Sequence, residues 1–160
     1  MGIYAPFVYI VITISLIALC RNNTQMITPS QAVQQMNSDA GYFLGYRSAV
    51  LAYMAANPTF TGSIPLASLA TYSPMQFSLL PGAGNYVSAT GTAARLVTCW
   101  ANVSTGSVQQ AVMLAGDDAS IGTSNGTTWT TAAPDVTQTQ QPLNTPVKAG
   151  AIVSVIQIGT

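Results

Sequence analysis

The sequence predicts an α+β fold in which an N-terminal transmembrane helix precedes a long amphipathic helix packed on a small antiparallel β-sheet. Residues 3–20 are uncharged and mostly apolar, and Arg21 follows them. Residues 29–57 repeat apolar side chains at helical spacing, which is typical of an amphipathic helix. After Pro58, short apolar runs alternate with Gly, Pro, Ser and Thr, a pattern typical of strands joined by turns.

The first predicted element is a membrane anchor. The run Ile3–Cys20 would span roughly 27 Å as a helix, at about 1.5 Å per residue, close to the roughly 30 Å of a bilayer's hydrocarbon core. No basic residue precedes the run, and Ala18-Leu19-Cys20 is a poor cleavage site for a signal peptide. We therefore expect an uncleaved anchor over residues 1–21, a linker over 22–28 and one α+β domain over 29–160.

The second element is the long helix, which begins at a capping box, Thr28-Pro29-Ser30-Gln31. It should end at Asn57, because the residue before a proline is disfavoured in helical geometry. Its predicted core stripe consists of Val33, Met36, Ala40, Phe43, Val50 and Met54, widened by Leu44 and Leu51.

Arg47 falls within this apolar stripe. Its aliphatic stem could cover the core while its guanidinium reaches water, as long basic side chains often do. The other interpretation is a buried pair with one of the four Asp residues, since burial of an unpaired charge is costly. Both interpretations stay open at the level of sequence.

The sheet is predicted from shorter signals. The strongest is a hairpin that joins residues 95–103 to residues 107–115 through Ser104-Thr105-Gly106. Residues 151–158 should form a buried closing strand because they are rich in β-branched side chains. The weaker predictions are a helical turn at 64–70, strands at 75–80 and 85–90, a strand or a tight turn at Asn125-Gly126 within 122–131, and a loop at 132–146.

The composition excludes most catalytic chemistry. The chain has no His and no Glu, and charged residues make up 5% of it, against about 25% in ordinary globular domains. Without His there is no Ser-His or Cys-His nucleophile, and Cys99 in its apolar run is expected to be buried. Asp117-Asp118 could bind a cation or a sugar, but Asp beside Gly is also ordinary turn chemistry. We expect no catalytic residue, cofactor or metal site, and hence no enzyme.

The charge balance also limits the partners. Four bases and four acids give a formal net charge of 0, and no basic patch is present for a nucleic acid. Low net charge weakens self-repulsion, so a homo-oligomer is possible, although a solitary exported domain is equally compatible with the composition.

The segment Ala40–Pro58, and above all Tyr46-Arg47-Ser48-Ala49-Val50 with Tyr53 and Asn57-Pro58, resembles the PilM family of plasmid-encoded type IVb pilus systems. The resemblance is strongest over residues 1–65. It implies a small protein anchored in the bacterial inner membrane. We expect the domain after the anchor to lie in the periplasm, because so uncharged and hydroxyl-rich a domain resembles exported proteins. The implied function is structural: the protein would dock other pilus-assembly proteins during biogenesis of the thin pilus used in conjugation.

Two other classes stay open. A pilin-like minor filament subunit also joins an apolar helix to a small sheet. A prepilin is expected to have a charged leader and a Glu early in its mature chain, whereas here no charged leader precedes Gly2 and the sequence contains no Glu. An exported carbohydrate-binding or hydrolytic domain would use Asp117-Asp118 with an exposed Trp100 or Trp129.

The candidate interaction residues lie on the long helix: Tyr42, Tyr46, Arg47 and Tyr53. Tyrosine is favoured at interfaces because it combines a large apolar face with a polar tip. The alternative is that these tyrosines complete the domain's own core.

Overall fold

A computed structural model describes residues 31–74 and 80–159. The chain divides into two units, Met1–Ala32 and Val33–Thr160, and the sheet with its core belongs to the second. The helices are α1 (Gln31–Ala56), α2 (Leu66–Leu69) and α3 (Ser107–Leu114). The strands are β1 (Gly84–Ala89), β2 (Arg95–Ala101), β3 (Ile121–Ser124), β4 (Thr128–Thr131), β5 (Gln140–Pro142) and β6 (Ile152–Ile158). The α+β class, with a long helix and an antiparallel sheet, is confirmed.

The six strands form one sheet in the order β1-β2-β6-β3-β4-β5, and every neighbouring pair is antiparallel. The last strand, β6, lies between β2 and β3, with Cys99 opposite Ser154 and Ile121 opposite the same serine. The prediction of a buried closing strand at 151–158 is therefore confirmed. Its β-branched residues occupy an interior position of the sheet, where such side chains pack well.

The main core lies between α1 and one face of the sheet. Along β2, alternate residues Val97, Cys99 and Ala101 are at most 1% exposed, as expected where side chains alternate between two faces. The helix contributes Ala40, Phe43, Tyr46, Ala49, Val50 and Met54 to the same cluster. The stripe predicted from the sequence is thus confirmed over most of its length. The exceptions lie near the start of α1, where Val33 is 38% exposed and Met36 is only half-buried outside the main cluster.

A second, smaller core covers the opposite face of the sheet. It contains Trp129, Val147, Ala151 and Val153, with Trp100, Leu143 and Val155 packed against it. Asn144 connects the covering loop to β2, because its side-chain oxygen accepts a hydrogen bond from Thr98 Oγ1 at 2.7 Å. The loop predicted at 132–146 is confirmed, except that it contains the short strand β5.

Both edges of the sheet are short or covered. On the β1 side, Gly62 and Val87 exchange two backbone hydrogen bonds of 2.8 and 2.9 Å. Beside them, the Asn85 side chain accepts a hydrogen bond from the Ile64 N–H at 2.7 Å. The opposite edge is β5, three residues long, which ends at Pro142 and so lacks one backbone donor.

The predicted hairpin between residues 95–103 and 107–115 is wrong in its second half. Ser107–Leu114 is the helix α3, not a strand. The inner face of α3 consists of four residues at helical spacings of three, one and three: Val108, Ala111, Val112 and Ala115. In a strand, Gln110 would have shared a face with the two valines. Gln, Ala, Met and Leu also favour helix, and Gly106, with φ of 91°, lets the chain turn into it.

The remaining predictions have three outcomes. Three predictions are confirmed: α1 ends just before Asn57-Pro58, α2 lies within 64–70, and β1 matches the strand at 85–90. At 122–131 both alternatives hold, because β3 and β4 pair across the Asn125-Gly126 turn. The anchor, the linker, the capping box and most of the strand at 75–80 lie outside the described residues.

Across residues 31–74 and 80–159, no helix combines the length and the apolar character that a membrane crossing requires.

Candidate functional site

Helical geometry divides the four candidate residues of α1 between two directions. At 100° per residue, Tyr42, Tyr46 and Tyr53 point within about 40° of one another. Arg47 points about 100° away from Tyr46, towards the other flank of the helix. The structure therefore does not bring the four residues together as one surface.

Tyr46 belongs to the core. It is 0% exposed, and its hydroxyl oxygen accepts a hydrogen bond of 2.8 Å from Asn85 Nδ2. The same amide group donates to Ile64 O at 2.9 Å, and burial raises the pKa of the Tyr46 phenol. The expectation that Tyr46 lies on a docking surface is corrected: the alternative, a core position, is what the fold provides.

Arg47 forms an ion pair with Asp118, which follows α3. The distance between Arg47 Nη2 and Asp118 Oδ2 is 2.5 Å, and the two side chains are 14% and 29% exposed. Burial alone would raise the pKa of Asp118, but hydrogen bonds from the Ser120 backbone and from Arg47 hold this pKa below its usual range. The paired interpretation of Arg47 is thus the correct one.

Asp117 and Asp118 have separate surroundings. Asp117 is exposed in a turn with φ of 61°, a conformation that Asp tolerates better than most residues. Asp118 accepts hydrogen bonds from Arg47 and from Ser120 N at 2.8 Å. The two carboxylates therefore do not act as a common pair.

A groove lies beside this ion pair, between α1 and the end of α3. Its volume is about 340 Å³, and it is lined by Leu44, Arg47, Ser48, Leu51, Ala115 and Asp118. We call it the α1–α3 groove. The two residues before Ala115, Met113 and Leu114, are 68% and 56% exposed, which is unusual for large apolar side chains. Sequence reasoning missed them because it placed this segment in a strand.

The opposite flank of α1 carries an aromatic cluster of Tyr53, Phe60 and Tyr72. The Tyr53 ring lies 5.4 Å from the Phe60 ring and 5.7 Å from the Tyr72 ring, both nearly perpendicular. Tyr53 and Tyr42 are half-buried against the core, whereas Tyr72 is 37% exposed. This flank offers an aromatic edge to solvent rather than isolated tyrosine side chains.

Asp39 is a further buried polar residue, and it connects α1 to the start of α3. Its carboxylate accepts hydrogen bonds from Gln35 Nε2 at 2.6 Å, Ser104 N at 2.8 Å and Ser104 Oγ at 2.6 Å. Burial alone would raise the pKa of Asp39, but the bonds from Ser104 lower it. A sequence signal was present, since Asp39 precedes Phe43 by one helical turn and so lies on the core side of α1.

The strongest candidates for nucleophilic or metal-binding chemistry among the described residues are Cys99 and the aspartates. Burial raises the pKa of the Cys99 thiol to about 12, so this buried side chain is no nucleophile near neutral pH. In the ranges 31–74 and 80–159, no group of three or more His, Cys, Asp or Glu side chains could hold a metal ion. The α1–α3 groove combines leucine and alanine side chains with one ion pair and one hydroxyl, which suits the docking of a protein side chain.

Comparisons with known proteins agree with the fold. The family model PilM matches residues 10–155. The crystal structure of the protein PilM from Escherichia coli B7A is similar to this chain with a TM-score of 0.55 and 15% identity, over 82% of this chain and 98% of that one. At this identity the likeness concerns the fold alone. No curated protein matches the chain.

Proposed function

Because this chain belongs to the PilM family, we propose that it is a structural component of a type IVb pilus assembly machine. In this proposal residues 3–20 anchor it in the bacterial inner membrane, and the α+β domain docks other pilus-assembly proteins in the periplasm. It contributes surfaces and no catalysis, so it is not an enzyme. The resemblance of Ala40–Pro58 to the family, described above, supports the pilus setting.

The observation that carries the docking proposal is the exposed pair Met113 and Leu114 at the end of α3, together with the open groove that begins at the next residue, Ala115. Large apolar side chains adjoining an open groove are typical of protein–protein contact sites, because burying them in a partner removes apolar surface from water. The rest of the groove is neutral, since Arg47 and Asp118 compensate each other.

The docking proposal can be tested with Leu114→Asp in the full chain. Leu114 is exposed at the last residue of α3, where an Asp is a poorer helix former and meets the negative end of the helix dipole, so the free energy of unfolding should fall by only about 1 kcal/mol. Pilus formation and co-isolation of other pilus-assembly proteins with the tagged chain should both be lost. The matched control is Val136→Asp, since Val136 is also exposed (41%) but lies in the loop after β4. Normal pili and unchanged co-isolation with Leu114→Asp would refute the proposal.

The membrane part of the proposal has its own test. We expect residues after Arg21 to lie in the periplasm, since so uncharged and hydroxyl-rich a domain resembles exported proteins. The positive-inside rule opposes this orientation, because Arg21 would prefer the cytoplasm, but a single Arg is a weak signal. A reporter fused after Thr160 should be active in its periplasmic form and should sediment with membranes. Activity confined to the cytoplasmic form of the reporter would contradict the orientation.

A further inference from the structure

We propose that Asn125 is a site of spontaneous deamidation and that the buried hydroxyl of Ser124 sets the rate of this reaction in the folded domain. Asn125-Gly126 is the single Asn-Gly pair of the sequence. Asparagine is chemically labile, and a glycine after it leaves the backbone nitrogen open to approach, because glycine has no side chain. The proposal goes beyond docking, since it concerns the chemical lifetime of the domain.

The reaction needs only the turn residues and water. The Gly126 nitrogen forms a bond to Asn125 Cγ, which closes a cyclic succinimide. The side-chain NH₂ group leaves as ammonia and takes the Gly126 N–H proton with it. Water then opens the ring at either carbonyl, so the product is aspartate or isoaspartate. The surroundings of the Gly126 N–H therefore control the rate.

The Asn125 side chain is accessible for this reaction. Asn125 is exposed at the turn between β3 and β4, and its backbone N–H donates to Thr128 O at 2.7 Å. Within residues 31–74 and 80–159, its side-chain amide has no hydrogen-bond partner. Neither burial nor a hydrogen bond to that amide protects the group that is attacked.

Ser124 restrains the attacking nitrogen. It is 2% exposed, and its hydroxyl donates to Val147 O at 2.9 Å. A serine hydroxyl has one proton, so this bond leaves only its lone pairs for other contacts. The Gly126 N–H donates to that oxygen at 3.0 Å, a local contact that Ser often makes with the backbone two residues on. This bond must break before the nitrogen can attack, and it also makes the proton harder to remove.

The rest of the turn is held by the loop that covers the second core. Val147 N–H donates to Gly126 O at 2.8 Å, and Leu143 N–H donates to Thr127 O at 2.8 Å. We therefore expect the reaction to proceed from states in which the turn has opened locally. The hydrogen bond to the serine hydroxyl contributes part of the free energy of that opening, so it slows the reaction.

Deamidation at this position would weaken the second core. Isoaspartate lengthens the main chain at the turn that connects β3 to β4. Trp129 lies on β4 opposite Ser124 and belongs to that core. The modified chain should thus unfold at lower denaturant concentration than the unmodified chain and should show altered tryptophan fluorescence.

The test compares deamidation rates of the full chain, purified in detergent and incubated in mildly alkaline buffer. Peptides that contain residue 125 are analysed for aspartate and isoaspartate by mass spectrometry. The folded wild type should react more slowly than the same chain in guanidinium chloride. Ser124→Ala should accelerate the reaction of the folded chain about two- to tenfold, which corresponds to the loss of one hydrogen bond. In guanidinium chloride the variant and the wild type should react at the same rate.

Two further variants separate this hydrogen bond from general destabilisation. Ser124→Cys keeps the shape of the side chain but offers a weaker acceptor, so it should also accelerate the reaction if Ser124→Ala does not fold. The matched control is Thr98→Val, which removes a buried hydrogen bond to Asn144 and leaves the turn intact. Its folded-state rate should equal that of the wild type.

Three results would overturn the proposal. Equal folded-state rates for the wild type and the Ser124 variants would exclude the role of the hydroxyl. Equal acceleration by Thr98→Val would show that the rate follows overall stability. Absence of deamidation at Asn125 in guanidinium chloride would exclude the site itself.

Discussion

Buried polar side chains of α1 connect the helix to the rest of the domain. Asp39 accepts hydrogen bonds from the loop before α3, and Tyr46 accepts one from Asn85 on β1. Arg47 adds an ion pair with Asp118 after α3. Since unmade hydrogen bonds are costly inside a protein, these residues specify one position of α1 on the sheet.

Asp39→Asn should destabilise the domain. The amide cannot accept from Gln35 Nε2, Ser104 N and Ser104 Oγ as a carboxylate does, and a hydrogen bond to a charged group contributes about 1.5–3 kcal/mol. We expect a loss of that size in the free energy of unfolding, measured by urea denaturation. The control, Ser38→Ala at the adjacent exposed position, should change it by less than about 0.5 kcal/mol. Equal stability of the two variants would show that the Asp39 contacts contribute little.

Two variants of Tyr46 separate the contribution of its hydroxyl to stability from the contribution of its ring. Tyr46→Phe removes the acceptor for Asn85 Nδ2 and should cost about 0.5–1.5 kcal/mol. Tyr46→Ala also leaves a cavity and should cost about 3–5 kcal/mol. Thermal melting measures both, and pilus formation should fall in parallel with stability. A Tyr46→Ala variant that melts like the wild type but makes no pili would show that Tyr46 acts at an interface and not in the core.

At the scale of elements, replacing each of two glycines in helical regions with Ala should change the free energy of unfolding in opposite directions. Gly41 lies inside α1 with nothing within 4 Å of a built Cβ, so Gly41→Ala should stabilise by about 0.5–1 kcal/mol. Gly106 precedes α3 with φ of 91°, and a Cβ at this position would clash with the Met36 side chain. Gly106→Ala should therefore destabilise by about 1–2 kcal/mol. Shifts of the same sign in urea denaturation would argue against this account of α3.

Long, periodic elements were predictable from the sequence, and short ones were not. The stripe of α1 and the stop at Pro58 are strong signals, as is the β-branched run of β6. For α3, eight residues are too few to separate helical from alternating spacing, because Val108 and Val112 fit both. Tertiary packing against the sheet decides the outcome there.

The candidate site was predictable only in part, for a related reason. Arg47 was identified as irregular from its position in an apolar stripe, but its partner Asp118 is 71 residues away. Sequence spacing carries no information on such distant contacts. The exposure of Met113 and Leu114 depends on the helix that was missed. Tyr46 could not be assigned because a buried and an interfacial tyrosine occupy similar positions beside a core stripe.

For the molecule as a whole, the stability should depend on pH in a simple way. The chain has no His and only four side-chain acids. Asp39 and Asp118 have folded-state pKa values below the ordinary 3.8, so their stabilising contribution is complete above about pH 4. As the pH falls through the folded-state pKa values, both groups must bind protons and that contribution is lost.

We therefore expect a constant free energy of unfolding between about pH 5 and 8 and a decline below about pH 4. Asp39→Asn and Asp118→Asn should each flatten the decline, because an amide has no proton to bind there. Denaturation curves across this range provide the measurement. A steep dependence near neutral pH would mean that another titrating group controls stability.

The two sheet edges limit the addition of a neighbour's strand to this domain. With Gly62 covering β1 and Pro142 ending the three-residue β5, neither edge offers a long row of free N–H and C=O groups. Backbone templating of a neighbour's strand, the route to donor-strand filaments and to amyloid, requires such a row. In the described part of the chain, contact with neighbours is left to side chains on helices. We therefore expect the described part of the chain to resist fibre growth by strand addition.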